Sequence, residues 1–216
     1  MHFDILVEDQ SGKKMLDILV PKIIGPDHTF TVKAYKGIGK IPRNLKTSAD
    51  PAKRALLAQL PKLLQGYGRT YAGYPADYQA VLILVCDLDN RCHKSFRKEL
   101  FNILDQCKPQ PDMQFCFAVE EGEAWFLGDI TAVKAAYPKA KDAVLAGYIN
   151  DAVCGTWERL ADAVYPGGAQ KLASSGYQKT GAQKSAWAER ITPLLDIENN
   201  QSPSFCYFRD TIKHYL

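Results

Sequence analysis

Carboxylates stand at three places where an apolar run ends. "VLILVCDLDNR" discharges into Asp87 and Asp89, "ILVEDQ" into Glu8 and Asp9, and "FAVEEGEAW" into Glu120, Glu121 and Glu123. After a strand, Asp and Asn ordinarily make turns and cap helices, so an Asp-x-Asp by itself is a structural feature more often than a site. The coincidence of three acidic strand ends points further. Carboxylates gathered at one edge repel, raise one another's pKa and destabilise the fold unless a cation sits among them. Oxygen donors without histidine or thiolate suit Mg²⁺ or Mn²⁺ better than zinc. In a strand that stays extended, Asp87 and Asp89 point the same way and can reach one ion, while Leu88 faces the other side and Asn90 begins the turn. Asp87 and Asp89 are therefore candidate metal ligands, with the acids of the other two strand ends beside them.

Such a site needs strands that end at one edge. His2 to Val7 reads as a strand, followed by a helix over Lys13 to Ile24 with Met15, Leu16, Leu19 and Ile23 on one face. Thr29 to Tyr35 alternates like a strand. Pro51 to Leu64 reads as an amphipathic helix entered through Asp50-Pro51, and Ala80 to Cys86 as a buried strand. A helix near Lys94 to Gln106, a strand over Gln114 to Val119 and a helix near Glu123 to Ala136 complete the alternation. Strands separated by helices are joined by crossovers, which predicts an α/β fold: a mainly parallel four-stranded sheet sandwiched by helices, its chemistry at the carboxyl ends of the strands. We assign residues 1–137 to this domain and 138–216 to a C-terminal helical extension packed on it. The extension has helical stretches around Asp151 to Val164, Lys184 to Leu195 and Phe205 to Tyr215, and one long loop, "YPGGAQKLASSGYQKTGAQ". A loop of that length is a functional candidate.

The bulk numbers narrow the function classes. With 216 residues, 46% hydrophobic, the chain can bury a sizeable core, and a net charge of +3 does not announce a nucleic-acid binder by composition. Nucleic acid would have to meet a local patch. No stretch approaches the ~20 apolar residues that span a bilayer and "MHFDILVEDQ" lacks the marks of a leader, so a cytoplasmic protein without a membrane partner is expected. The six cysteines include no C-x-x-C pair, which argues for reduced thiols and against zinc.

A glutamate after the first strand, in "ILVEDQSGKKML", and an Asp-x-Asp after a later one, in "ILVCDLDNR", resemble the Toprim domain of topoisomerases, primases and overcoming-lysogenization-defect nucleases. "AVEEGEAWFLGD" and "GAQKSAWAERI...NNQSPSFCYFRD" resemble a Toprim-like family often found beside ABC-type ATPases in phage-defence operons. That second resemblance covers nearly the whole chain. One departure is visible: Toprim proteins often place a glycine after the first glutamate, where Asp9 stands here. The resemblance implies Mg²⁺- or Mn²⁺-dependent chemistry on a phosphodiester of DNA or RNA and an ABC-type ATPase partner. It makes Asp87 and Asp89 metal-binding aspartates and Glu8 a general acid/base or further ligand. Glu121 and Glu123 match the third acidic cluster, which helps to hold a second ion. A non-catalytic binding module and another phosphoryl transfer, such as nucleotidyl transfer, stand as alternatives, and the oligomeric state is open.

Further residues carry weaker signals. Lys184 reads either as a solvated lysine or, if the long loop folds over the acidic edge, as a fixed cation for the pentacovalent phosphate. "YKGIGKIPRNLK" sets Lys36, Lys40, Arg43 and Lys46 around two glycines; it is not a P-loop, yet with Arg91 it could neutralise a nucleic-acid backbone. Tyr67, Tyr71, Tyr74 and Tyr78 could stack on bases, pack a partner or cover the sheet. For Trp125 and Phe126, core packing is the simpler explanation.

Overall fold

The apolar runs form four strands, β1 (His2–Val7), β2 (Thr29–Ala34), β3 (Ala80–Asp87) and β4 (Met113–Ala118). In the computed structural model, which describes residues 1–42, 55–152 and 154–216, all four pair in parallel in the order β2-β1-β3-β4. The chain returns between strands through α1 (Gln10–Ile24), α2 (Leu56–Ala72) and α3 (His93–Leu104). The expected α/β architecture is thus the one observed.

Side chains alternate across the pleat, so each strand feeds two cores. Phe3, Ile5 and Val7 of β1, with Val81, Ile83 and Val85 of β3, face α1 and its Met15, Leu16 and Leu19. Leu6, Leu82, Leu84, Phe115 and Phe117 face the opposite way, against Leu56, Leu60 and Leu64 of α2 and Phe96 and Leu100 of α3. Beyond β4 follow α4 (Glu123–Leu127), α5 (Ile130–Ala136), α6 (Asp142–Ala146), α7 (Thr156–Val164), α8 (Gly168–Ser174), α9 (Tyr177–Ile191) and α10 (Pro203–Lys213). These helices bury Trp125, Leu160, Trp187, Phe205 and Phe208 in the same core as α1.

Three expectations need correction. The stretch from Tyr165 to Gln183 is not a long loop: α8 and the first half of α9 occupy it, and Gly167, Gly168 and Gly176, all with positive φ, mark where helices begin. These glycines punctuate helices and do not open a loop. The helix expected over Glu123 to Ala136 is two, because Asp129 starts a new one by accepting the Ala132 N–H at 2.9 Å. The second helix runs over Leu56–Ala72, eight residues beyond the expected Leu64; positions 51–54 lie outside the described residues.

Two glycines of α2 make the packing testable. A Cβ on Gly68 would collide with the backbone carbonyl oxygen of Pro109, whereas one on Gly66 meets nothing within 4 Å. Gly66→Ala should therefore stabilise by up to ~1 kcal/mol through helix propensity. Gly68→Ala should instead cost about 1–3 kcal/mol as the Pro109 loop is pushed away. Urea midpoints of the two variants are expected to move in opposite directions.

Candidate active site

The parallel register brings the strand ends to one level. Val7 pairs with Val85 and Asp87 with Ala118, so Glu8, Asp87 and the residues after Ala118 emerge side by side at the carboxyl edge. There Glu8, Asp87 and Glu123 line a cavity of about 30 Å³ together with Lys184, Ser11, Gly12 and Met15. That is room for an ion or a water or two, not for a nucleotide. Lys184 sits in the middle of α9, which lies along α1, and its ammonium is 3.3 Å from Glu121 Oε1 and 3.3 Å from Glu123 Oε2. Glu123 is 5% exposed.

One ammonium faces several carboxylates, and the electrostatics follow from that imbalance. Burial raises the Glu8 carboxyl to about 7, helped by Asp9 and Asp89 and opposed by the Asp87 backbone N–H and by Lys184. Burial likewise raises Glu121 to about 7 against the pull of Lys184. Asp87 is pushed well above the usual carboxylate range by burial and by Glu8, and Glu123 is raised by burial despite Lys184. For Lys184, burial works against the charge, but Glu123, Glu121 and Asp87 overcome it and hold the ammonium protonated.

The donor chemistry fits a hard divalent cation. Glu8 Oε2 and Glu121 Oε2 are buried without a hydrogen-bond partner among the described residues, and buried anionic oxygens in that state are costly. As the side chains stand, no three His, Cys, Asp or Glu among the described residues are set at metal-holding spacing. Among the described residues, the cation that pairs with Glu121 and Glu123 is Lys184.

Not every expected acid points inward. The extended conformation does not persist to Asp89: the strand ends at Asp87, and Asp89 takes a φ of 50° in a turn with Asn90. Asp87 and Asp89 therefore do not share a strand face. Asp89 Oδ2 lies 3.3 Å from Arg91 Nη2 with nearly half of its side chain exposed, while Leu88 is buried against α3 as the pleat requires. Asp9 borders the cavity but is spent on capping α1, accepting the Gly12 N–H at 2.7 Å and the Ser11 hydroxyl at 2.6 Å. Glu120 accepts the backbone N–H groups of Gly155 and Thr156 at 2.7 and 2.8 Å, fixing the start of α7. The site is thus Glu8, Asp87, Glu121, Glu123 and Lys184, with Asp89 at its rim.

Its surroundings are partly as expected. Lys36 and Lys40 are exposed on the loop after β2, where the Gly37 N–H donates to the Glu8 carbonyl at 2.8 Å; Arg43 and Lys46 lie outside the described residues. Arg91 stacks on Phe96, 4.8 Å from its centroid. Tyr67 and Tyr71 belong to α2 and to the other end of the sheet, donating to Asp4 at 3.3 and 3.0 Å, roughly 13 Å along β1 from Glu8. They lie away from the acidic edge, where their hydroxyls hold Asp4. Trp125 is fully buried, and its Nε1–H donates to Ser204 Oγ at 3.0 Å. Gly12 carried no signal in the sequence, yet a Cβ there would sit 2.6 Å from Val7 Cγ2, so only glycine lets α1 start this close to β1.

Fold and site together define an α/β protein with a buried acid–lysine cluster at the carboxyl edge of a parallel sheet. No family model, curated protein or solved structure matches the chain.

Two measurements probe the cluster without reference to any activity. Glu8 and Glu121 hold protons in the folded state between their ordinary value of 4.5 and about 7. The folded state then binds more protons than the unfolded one, so stability present at low pH is lost as pH rises through that window. Without divalent ions, the calorimetric midpoint should fall between about pH 5 and pH 7.5, and Glu8→Gln with Glu121→Gln should flatten the fall. At neutral pH, Lys184→Met leaves the carboxylates without their counter-charge and should cost about 3–5 kcal/mol in urea unfolding.

Proposed function

We propose that the chain is a Toprim-like, Mg²⁺- or Mn²⁺-dependent nuclease acting on DNA or RNA, working in antiviral defence with an ABC-type ATPase partner. One observation carries the reading: carboxylates from three strand ends, Glu8, Asp87 and Glu123, line one small cavity with a buried lysine, and Glu121 pairs with that lysine. Strand ends at this edge are where open parallel sheets bind ligands and do chemistry. The defence role and the partner rest on the resemblance of "AVEEGEAWFLGD" and "NNQSPSFCYFRD" alone. Among the described residues no helix is long and apolar enough to cross a membrane, and a cytoplasmic location is part of the proposal.

Asp87, Glu121 and Glu123 would hold the ion, with Glu8 as base or further ligand and Asp89 available from the rim. A bound Mg²⁺ or Mn²⁺ supplies Lewis-acid neutralisation of phosphoryl oxygens. Glu8, with a proton affinity near neutrality, can take a proton at Oε2 from an attacking hydroxyl or water. Lys184 would offer a cation to the charge that builds on the phosphoryl oxygens. Lys36, Lys40 and Arg91 at the rim can neutralise flanking phosphates, which makes binding salt-sensitive and independent of sequence.

A second reading has its own support. Lys184 already neutralises part of the cluster, so the fold stands on its own cation, as a non-catalytic nucleic-acid- or partner-binding module would. Turnover separates the two. Plasmid, single-stranded DNA, tRNA and mixed RNA, incubated in Mg²⁺ or Mn²⁺ with and without the ATPase partner, should be cut. The cutting should stop with EDTA and fall at least ~100-fold in Asp87→Asn and Glu8→Gln. Cleavage that survives both substitutions would falsify the residue roles. Nucleic-acid binding without any cleavage would favour the module.

A further inference from the structure

Three carboxylates of the edge, Glu121, Glu123 and Asp89, lie within ion-pair distance of a cation of the chain itself. Lys184 Nζ bridges Glu121 and Glu123 at 3.3 Å each. Asp89, turned out at φ 50°, lies 3.3 Å from Arg91. The ammonium does not satisfy the cluster, because Glu8 Oε2 and Glu121 Oε2 remain buried without partners. It does sit between the acids, and among the described residues no three of them stand at metal-holding spacing. A single positive charge with three donors is a poor match for this many oxygens, and a divalent ion is a better one.

We propose that Lys184 is the resident cation of the pocket and that a divalent ion gains the carboxylates only by displacing its ammonium. The inference rests on reading the pocket as a metal site. Lysine suits the part. Its flexible stem carries a compact charge, and its side chain retains 17% exposure, a route toward solvent when the ion arrives. The displaced ammonium then leaves the acids and is available to a phosphate at the mouth of the pocket. Metal loading and presentation of the cation to substrate become one event. Without displacement, α9 keeps the site closed to metal.

The experiment is a Mn²⁺ titration of the full chain, with free Mn²⁺ read by electron paramagnetic resonance. It compares the native chain with Lys184→Met and with Lys179→Met, an exposed lysine of the same helix that controls for long-range charge. If the metal-competent arrangement is a minor population while Lys184 is in place, its removal tightens Mn²⁺ binding by about ten-fold or more, against about two-fold or less for Lys179→Met. Because Lys184→Met also removes a buried counter-charge, a second arm uses the unaltered chain. Acetylation of Lys184 by acetic anhydride, read by peptide mass spectrometry, should rise when Mn²⁺ is added. Equal or weaker Mn²⁺ binding by a folded Lys184→Met, or Lys184 acetylation that is unchanged or falls with bound Mn²⁺, overturns displacement and leaves the metal site standing. Failure of both the native chain and Lys184→Met to bind Mn²⁺ at millimolar concentration overturns the metal site and the proposal with it.

Discussion

More carboxyl groups are buried at the carboxyl edge of this sheet than one ammonium can serve, and much of the surrounding architecture holds that imbalance in place. Parallel register puts Glu8, Asp87 and the Glu120–Glu123 segment at one level. Each carboxyl loses water on burial, and each raises its neighbours, so the group would spread apart if its supports were soft. They are not soft. Glu8 follows a strand paired on both sides, Asp87 ends the central β3, and α9 is laid against α1 so that Lys184 enters from above.

Glu121 and Glu123 need the most scaffolding, because they follow the edge strand, Glu121 in the bend before a short helix and Glu123 at its first position. A helix of five residues has little stability of its own. The closing segment supplies it. Asn200 Nδ2–H donates to the Trp125 carbonyl at 2.8 Å, the Ser204 hydroxyl accepts from Trp125 Nε1–H at 3.0 Å, and Trp125 stacks on Phe208 with centroids 4.9 Å apart. Asp151, itself at a positive φ, accepts from Ser202 Oγ and from the Ser204 N–H at 2.9 and 2.6 Å. The two most distinctive stretches of sequence, "EGEAW" and "NNQSPSF", are thus one structural unit, and its effect is to aim α4.

The fold was legible because its signals are local: period-two apolar runs end in acids, and period-3.6 runs lie between them. The site was legible as a set of strand ends but not in its details. Asp89 looked equivalent to Asp87 because spacing alone implies a shared face, and only the backbone turn decides otherwise. Glu120, next to Glu121 in sequence, is taken by the start of α7, a partner 35 residues away that no local pattern announces. Lys184 looked like a residue after a loop because glycines that begin helices resemble glycines that make loops. What placed it was the docking of α9 on α1, a tertiary fact.

A contrast within β1 separates a structural acid from a candidate site. Asp4 on the strand and Glu8 directly after it are four residues apart, and both are largely withdrawn from water. Asp4 is closed by the protein itself: Tyr67 and Tyr71 donate to its two oxygens at 3.3 and 3.0 Å, and Lys33 and His2 lie at 3.8 and 3.7 Å. Every oxygen has a partner, and Lys33 also donates to Tyr67 at 2.7 Å, so the network is complete. Glu8 has no such closure. It has the Asp87 N–H on one side, a second oxygen buried without a partner, and further acids around it. A fold that satisfies one buried carboxylate on a strand so fully has the means to satisfy another. Hydroxyl donors at the carboxyl edge would have lowered the energy of the resting chain and, by the same act, used up the oxygens that could bind a cation. Leaving them unpaired costs stability at every pH where they are charged, and that cost is sensible only where the oxygens are used.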